Sequence, residues 1–175
     1  MQKLQSPTHL FMIEPEEFYN NLQTLDSNDY QVLDKDVNKD DILKKAKLEF
    51  VNFKNMIESN GIKVTYMHGS LGCPDHIFPN WFATFQDKTM QIFSMKALNR
   101  RAEKKPEMIK KLQTEYKLTE DMTHYEEKGI FLESTSSMVF DRINMIAYIG
   151  KSVRTNANLA KEWCSKNGFE LILFE

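Results

Sequence analysis

The chain has 175 residues, 41% hydrophobic, 27% charged and 11% aromatic, with 23 Lys plus Arg against 25 Asp plus Glu for a net charge of −2. One core fits this length, so a single domain over 1–175 is expected, and the even charge balance excludes an electrostatic nucleic-acid reader. No apolar run approaches the roughly 18–20 residues of a membrane span, the first seven residues lack the apolar stretch of a secretion signal, and two cysteines make no disulfide framework, which leaves a soluble cytoplasmic protein with no nucleic-acid or membrane partner.

Taken in chain order, a first strand is expected over 10–13. The clearest helix spans 39–59, where Leu43, Ala46, Phe50, Phe53 and Ile57 recur at spacings of three and four. Asn38 or Asp40 can cap its start and Gly61 its end. Alternation follows, with Ile62, Val64 and Tyr66 on one face of a strand, then a loop containing Gly69, Gly72 and Pro74. Segments 81–85 and 90–95 read as a hairpin turning through 86–89. A helix over 105–116 starts at Pro106 and buries Met108 or Ile109 with Leu112. A strand over 129–133, a second hairpin (138–141 with 145–149), a helix over 156–167 ending at Gly168, and a last strand over 169–174 complete the series.

The order α-β-β-β thus occurs twice and begins a third time, the pattern of an α/β array in which each unit buries its face on the next. The last apolar run is of the kind buried on both faces, and it lacks the hairpin of its predecessors. A partner chain, a homo-oligomer or a missing C-terminal half would complete it, and a fragment of a longer protein is the favoured reading.

The least regular composition follows the first strand of each repeat, around Asp75 and around Glu133. In a ring of units such places converge on one cavity, and two carboxylates there suit a planar cation with forked N–H donors, a guanidinium or amidine. On spacing alone, Asp75 can equally be a turn residue and Glu133 a surface strand end. Arg100 or Arg101 can hold a substrate carboxylate or can pair with Glu103 or Glu107. Lys104-Lys105 and Lys110-Lys111 read as a solvated face, Asp141 and Arg142 as a turn pair, Cys164 as a core residue, and His9, His68 and His124 as end, loop or surface groups with no metal ligation among them.

Phe11-Met12-Ile13-Glu14-Pro15-Glu16-Glu17-Phe18-Tyr19-Asn20 resembles the opening of the amidinotransferase and arginine deiminase superfamily, the penteins. Three more blocks agree in order: Pro74-Asp75-His76-Ile77-Phe78-Pro79-Asn80-Trp81-Phe82, then Met95-Lys96-Ala97-Leu98-Asn99-Arg100-Arg101-Ala102-Glu103, then Phe131-Leu132-Glu133-Ser134-Thr135-Ser136-Ser137-Met138-Val139-Phe140-Asp141-Arg142, with Arg154-Thr155 beyond. The nearest group is similar to arginine-deiminase-related proteins, citrulline hydrolases among them. The resemblance implies a five-bladed α/β propeller, incomplete here, acting on a guanidino or ureido amino acid such as arginine or citrulline through a covalent Cys intermediate and without a cofactor. It implies Glu133 as a catalytic acid beside the family's His, and Asp75, Asn80 and Arg100 as substrate-binding residues. The family's Cys and His fall after Glu175. A non-catalytic propeller used for binding or assembly is the alternative.

The chain also departs from the pattern. Glu14 stands where the group usually has Arg, Pro79-Asn80-Trp81 has one Asn where two are common, and Ser134 and Ser136 replace Gly. A positive φ at either serine would cost about 1 kcal/mol or more. Cys73, His76 and Glu133 form a second, internal candidate for a Cys-His-acid triad.

Overall fold

The computed structural model describes residues 4–28, 31 and 38–175; the reading of the first residues as lacking a secretion signal falls partly on 1–3, outside them. Two compact units emerge, one of 7–79 with 97–103, the other of 80–96 and 104–175 with the N-terminal stretch up to Ser6.

In the first unit β1 (His9–Glu14) pairs in parallel with β2 (Lys63–His68), in the register His9 with Lys63 through to Glu14 with His68. The crossover is α1 (Lys39–Ser59), the helix its periodicity predicts, with the Asn38 side chain accepting from Asp40 N at 2.9 Å and Gly61 in the left-handed region. Phe50 is its buried residue and packs edge-on against Tyr66, whereas Phe53 is exposed. His9 is not a solvated end residue: it lies within β1 and its Nε2 is 2.8 Å from Thr65 Oγ1 on the neighbouring strand. A short helix, α2 (Leu98–Arg101), which has no apolar periodicity to announce it, completes the unit.

The second unit holds two sheets built alike. β3 (Phe82–Thr84) and β4 (Thr89–Ile92) form a hairpin, α3 (Pro106–Gln113) crosses over, and β5 (Lys117–Asp121) returns parallel to β4. After a single turn of helix, α4 (Ser134–Ser137), the hairpin of β6 (Met138–Asp141) and β7 (Ile146–Gly150) leads through α5 (Ala157–Asn167) to β8 (Glu170–Phe174), parallel to β7. The two copies agree in detail. Lys88 and Met145, the residues just before β4 and β7, both take positive φ, and their carbonyls accept from Lys117 N at 2.8 Å and Glu170 N at 2.7 Å. The sheet repeat is therefore hairpin, helix, parallel strand, cut one step later than the α-β-β-β order suggests.

Strand β5 replaces the strand expected over 129–133. Its sequence, Lys-Leu-Thr-Glu-Asp, has a single apolar residue, because an edge strand needs backbone partners more than an apolar face. Residues 123–128 instead form a 3-10 turn, and Leu132 makes one isolated bridge with Thr155. β8 is also an edge: Leu171 and Leu173 pack on the core, while Glu170, Ile172 and Phe174 are exposed, so it is buried on one face and not on two.

The core of this unit gathers Phe93, Met122 and Leu132 with Phe140, Ile149, Leu159, Trp163 and Phe169. Trp163 lies within 5.5–5.8 Å of the rings of Phe93, Phe140 and Phe169, and its indole N–H donates to Gln91 Oε1 at 2.6 Å. Replacing Trp163 by Ala is expected to cost about 3–5 kcal/mol in urea unfolding, and Trp163→Phe about 1–3 kcal/mol, because Gln91 then keeps a buried acceptor with no donor.

Candidate functional site

Asp75 follows Pro74 in a loop of successive turns, in which His76 N donates to Cys73 O at 3.1 Å and Phe78 N to Asp75 O at 2.9 Å. Within that unit its Oδ2 accepts from Asn21 Nδ2 at 2.7 Å and from Thr24 Oγ1 at 3.2 Å, and Arg100 Nη1 lies 3.6 Å away. Oδ1 has no partner among the described residues. Asn21 is buried and is itself clamped by Asn99, whose Nδ2 donates to Asn21 Oδ1 at 2.8 Å.

Arg100 is buried at the start of the chain's second visit to this unit. Its Nη1 donates to Asp75 O at 3.2 Å, its Nη2 to Phe78 O, and its Nε sits 3.0 Å from Glu103 Oε1. The guanidinium thus fixes both backbone and side chain of the Asp75 loop, with Glu103 as its buried counter-charge.

Glu133 belongs to the second unit and is buried, which excludes the surface strand end. It caps α4 from the extended region, and both carboxylate oxygens are held: Oε1 by Lys96 N at 3.0 Å, Oε2 by Ser136 Oγ at 2.9 Å with Arg154 Nη1 at 3.8 Å. Asn80 fastens the same turn, its carbonyl accepting from Ser134 N at 3.1 Å and its Oδ1 from Thr135 Oγ1 at 3.0 Å. Ser134 and Ser136 lie within α4 and carry no positive φ, which occurs off glycine only at Lys88 and Met145 among the described residues, so the strain expected of them is absent. The turn is helical, and its Ser136 hydroxyl donates to Glu133 Oε2.

The structure thus brings Asp75 together with Arg100, and Glu133 with Asn80, each pair inside one unit. Sequence reasoning missed Asn21 and Thr24, the donors to Asp75. Asn99, Ser136 and Arg154 lay inside or beside the quoted blocks, but polar residues in irregular segments have no periodic signature. Glu14, the charge-reversed position, has its Oε2 3.1 Å from Nδ1 of exposed His68. Lys104 is not solvated: its ammonium pairs with Glu126 in a largely buried contact. Asp141 behaves as a turn residue, accepting from Ile143 N and Asn144 N, and these bonds hold its carboxyl below the usual carboxylate range. Among the described residues no group of three His, Cys, Asp or Glu is placed to hold a metal ion, and no helix is long and apolar enough to cross a membrane.

Both cysteines are buried, and burial pushes the Cys164 thiol up to about 11. A thiol in that state is a poor nucleophile at neutral pH.

Two three-stranded mixed sheets and one parallel pair, each with a crossover helix, define a mixed α/β protein. The sequence model of the family described as "N,N dimethylarginine dimethylhydrolase, eukaryotic" matches residues 14–175, and the chain belongs to that family. Among solved structures it is similar to the N-terminal domain of ArgZ, an arginine dihydrolase from the ornithine-ammonia cycle in cyanobacteria, solved with substrate bound (12% identity, TM-score 0.69, 94% of this chain and 56% of that one). It is also similar to a mutant of the dimethylarginine dimethylaminohydrolase of Pseudomonas aeruginosa complexed with citrulline (20% identity, TM-score 0.64, 95% of this chain and 61% of that one). These likenesses establish the fold, and the chain spans little more than half the length of either. No curated protein sequence matches it.

Two measurements check this geometry. Arg100→Ala is expected to destabilise the chain by about 3–5 kcal/mol, since it removes the cation from a buried pair, and the double variant with Glu103→Ala should recover part of that in denaturant unfolding. In a thiol titration at pH 8, Cys73 and Cys164 should both resist an aromatic disulfide reagent until denaturant opens the fold.

Proposed function

We propose that this chain is the N-terminal part of a hydrolase that breaks a C–N bond of a guanidino or ureido amino acid, a methylated arginine, arginine or citrulline. Its sheets are then blades of an α/β propeller that further residues complete. The observation that carries the reading is the state of Asp75: one carboxylate oxygen is anchored by Asn21, Thr24 and Arg100, and the other is left without a partner among the described residues. A carboxylate so held is pre-oriented to accept from a substrate N–H, with little ordering left to be done on binding. The family match supports it independently.

In this reading Asp75 receives the substrate's nitrogens. Arg100 serves the substrate through Asp75, and Asn80 holds the turn that carries Glu133. The reaction needs a thiolate that attacks the central carbon, forming a C–S bond while ammonia or an amine departs with a proton from a histidine. Water, deprotonated by the same histidine, then breaks the C–S bond and releases the product. Glu133 aligns that histidine. Buried Cys164 cannot be the thiolate, and Cys73 and His76 are both buried in the Asp75 loop. In this reading residues after Glu175 supply the nucleophile and the histidine, as the resemblance to the amidinotransferase superfamily implies.

The test is amine and ammonia release from dimethylarginine, arginine and citrulline, measured on residues 1–175 and on the product of the whole gene. The short chain should turn nothing over. In the longer one Asp75→Asn should lower kcat/KM by about a hundredfold or more, the range for a lost charge-assisted contact to a transition-state cation. Turnover by 1–175 that Cys73→Ala abolishes would overturn the proposal and promote the internal triad.

A further inference from the structure

Asn156 and Glu133 both stand at the N-cap of a helix, yet their side chains behave differently. Asn156 opens α5, and its Oδ1 accepts from the backbone N–H of Leu159, three residues on, at 2.9 Å. That is the usual duty of a capping side chain. Glu133 opens α4, and its carboxylate accepts from no backbone N–H of that turn. Three residues on stands Ser136, and Glu133 Oε2 takes its hydroxyl instead, at 2.9 Å. A serine hydroxyl reaches further out than a backbone N–H, so the carboxylate is held off the turn, where Oε1 meets Lys96 N at 3.0 Å.

Among the described residues that hydroxyl is the one hydrogen bond to Oε2. Arg154 is its competitor. The guanidinium Nη1 lies 3.8 Å from Oε2, beyond hydrogen-bond distance. The backbone of Arg154 is fixed on both sides: its N–H donates to Ser152 Oγ at 3.1 Å, and its carbonyl accepts from Ser137 Oγ at 3.3 Å and Glu133 N at 3.4 Å. The cation is therefore anchored close to the acid. The Glu133 side chain is only 3% exposed, so little water competes for Oε2. Without the hydroxyl, that oxygen would close the gap and form a charge-assisted bond to the guanidinium.

We infer that Ser136 is a positioning residue: its hydroxyl occupies Oε2 and keeps Glu133 from collapsing onto Arg154. Two departures from the group's pattern meet at this turn. Ser136 stands where glycine is usual, and its neighbour Thr135 donates to Oδ1 of Asn80, the single Asn of the shortened segment, at 3.0 Å. The hydroxyl-bearing turn and the shortened segment are thus bonded to one another. Ser136 has no positive φ, so the position makes no use of a glycine's freedom, and what it contributes is the hydroxyl. The inference rests on the reading of Glu133 as the acid that aligns the histidine. An ion pair with Arg154 would draw the acid away from that task and leave the binding work of Asp75 as it was.

Two measurements on the product of the whole gene test this. In crystal structures, Ser136→Ala should bring Oε2 to about 3 Å from Arg154 Nη1, and Ser136→Thr should keep it on the hydroxyl. In amine and ammonia release, Ser136→Ala should lower kcat about tenfold or more, as for a lost hydrogen bond to a charged group, with KM within about twofold of native. Ser136→Gly should behave as Ser136→Ala does, and Ser136→Thr should keep the native rate. Ser136 is exposed, so the melting temperature should not move. Ser134→Ala, which removes a buried hydroxyl with no hydrogen-bond partner among the described residues, should leave the rate unchanged. An Oε2 that stays in place in Ser136→Ala, or a Ser136→Gly variant as fast as native, would overturn the inference. A native product that releases nothing would instead strike the proposed function, and the crystal structures would still decide whether Ser136 holds the acid off Arg154.

Discussion

The indole of Trp163 holds the larger unit together, and most of its architecture follows from that one side chain. Three-stranded sheets of three- to five-residue strands need a buried apolar face, which a packed helix supplies, to be stable. They become stable when one helix covers two of them. α5 does this by pressing its aromatic side chain among Phe93 of one repeat and Phe140 and Phe169 of the other. Gln91, a buried polar residue in the middle of a strand, is explained by the same contact: its amide takes the indole N–H and gives a bond to Asn167. A polar pair at the centre of an apolar interface fixes the register of helix on sheet, which apolar packing by itself leaves free to slide.

The two acids implied as functional are held in different ways. Glu133 has both oxygens bonded and caps the turn that leads into β6, so its charge is a fixed feature of the scaffold. Asp75 is bonded on one oxygen only, by groups drawn from two separate stretches of chain, one holding Asn21 and Thr24 and the other Arg100. Arg100 in turn carries a second buried acid, Glu103, so the loop is tied down by charge on both sides of the guanidinium. Such a cluster costs desolvation and returns geometry, which is the arrangement expected where orientation matters more than stability.

Much was legible in the sequence. The long helix over 39–59 was, because its apolar residues from Leu43 to Ile57 keep one period for about four turns and both its caps are written in residue type. Both hairpins were, as was the repetition, since each turn sits between strands rich in β-branched and aromatic residues. The blocks around Asp75, Arg100 and Glu133 carry the resemblance to the family, although no periodicity marks them. The sequence also pointed to Cys164 as core, from its place beside Trp163 on an amphipathic helix, and to Asp141 as a turn residue, and the structure agrees.

What only the tertiary structure decided was which groups meet. β5 could not be read because an edge strand is specified by the neighbour it pairs with, and Lys117–Asp121 carries almost no apolar signal of its own. That Lys104 is buried, that His9 is tied to Thr65, and that Asn21 and Thr24 reach Asp75 across about fifty residues of sequence were invisible for the same reason. Whether the serines in place of glycines are strained depended on a positive φ, and the backbone shows a helical turn there without one. Hydrophobic period and turn chemistry are local and survive in one dimension. The partner of a buried polar or charged group is set by chain topology, and it exists only once the fold has brought distant segments together.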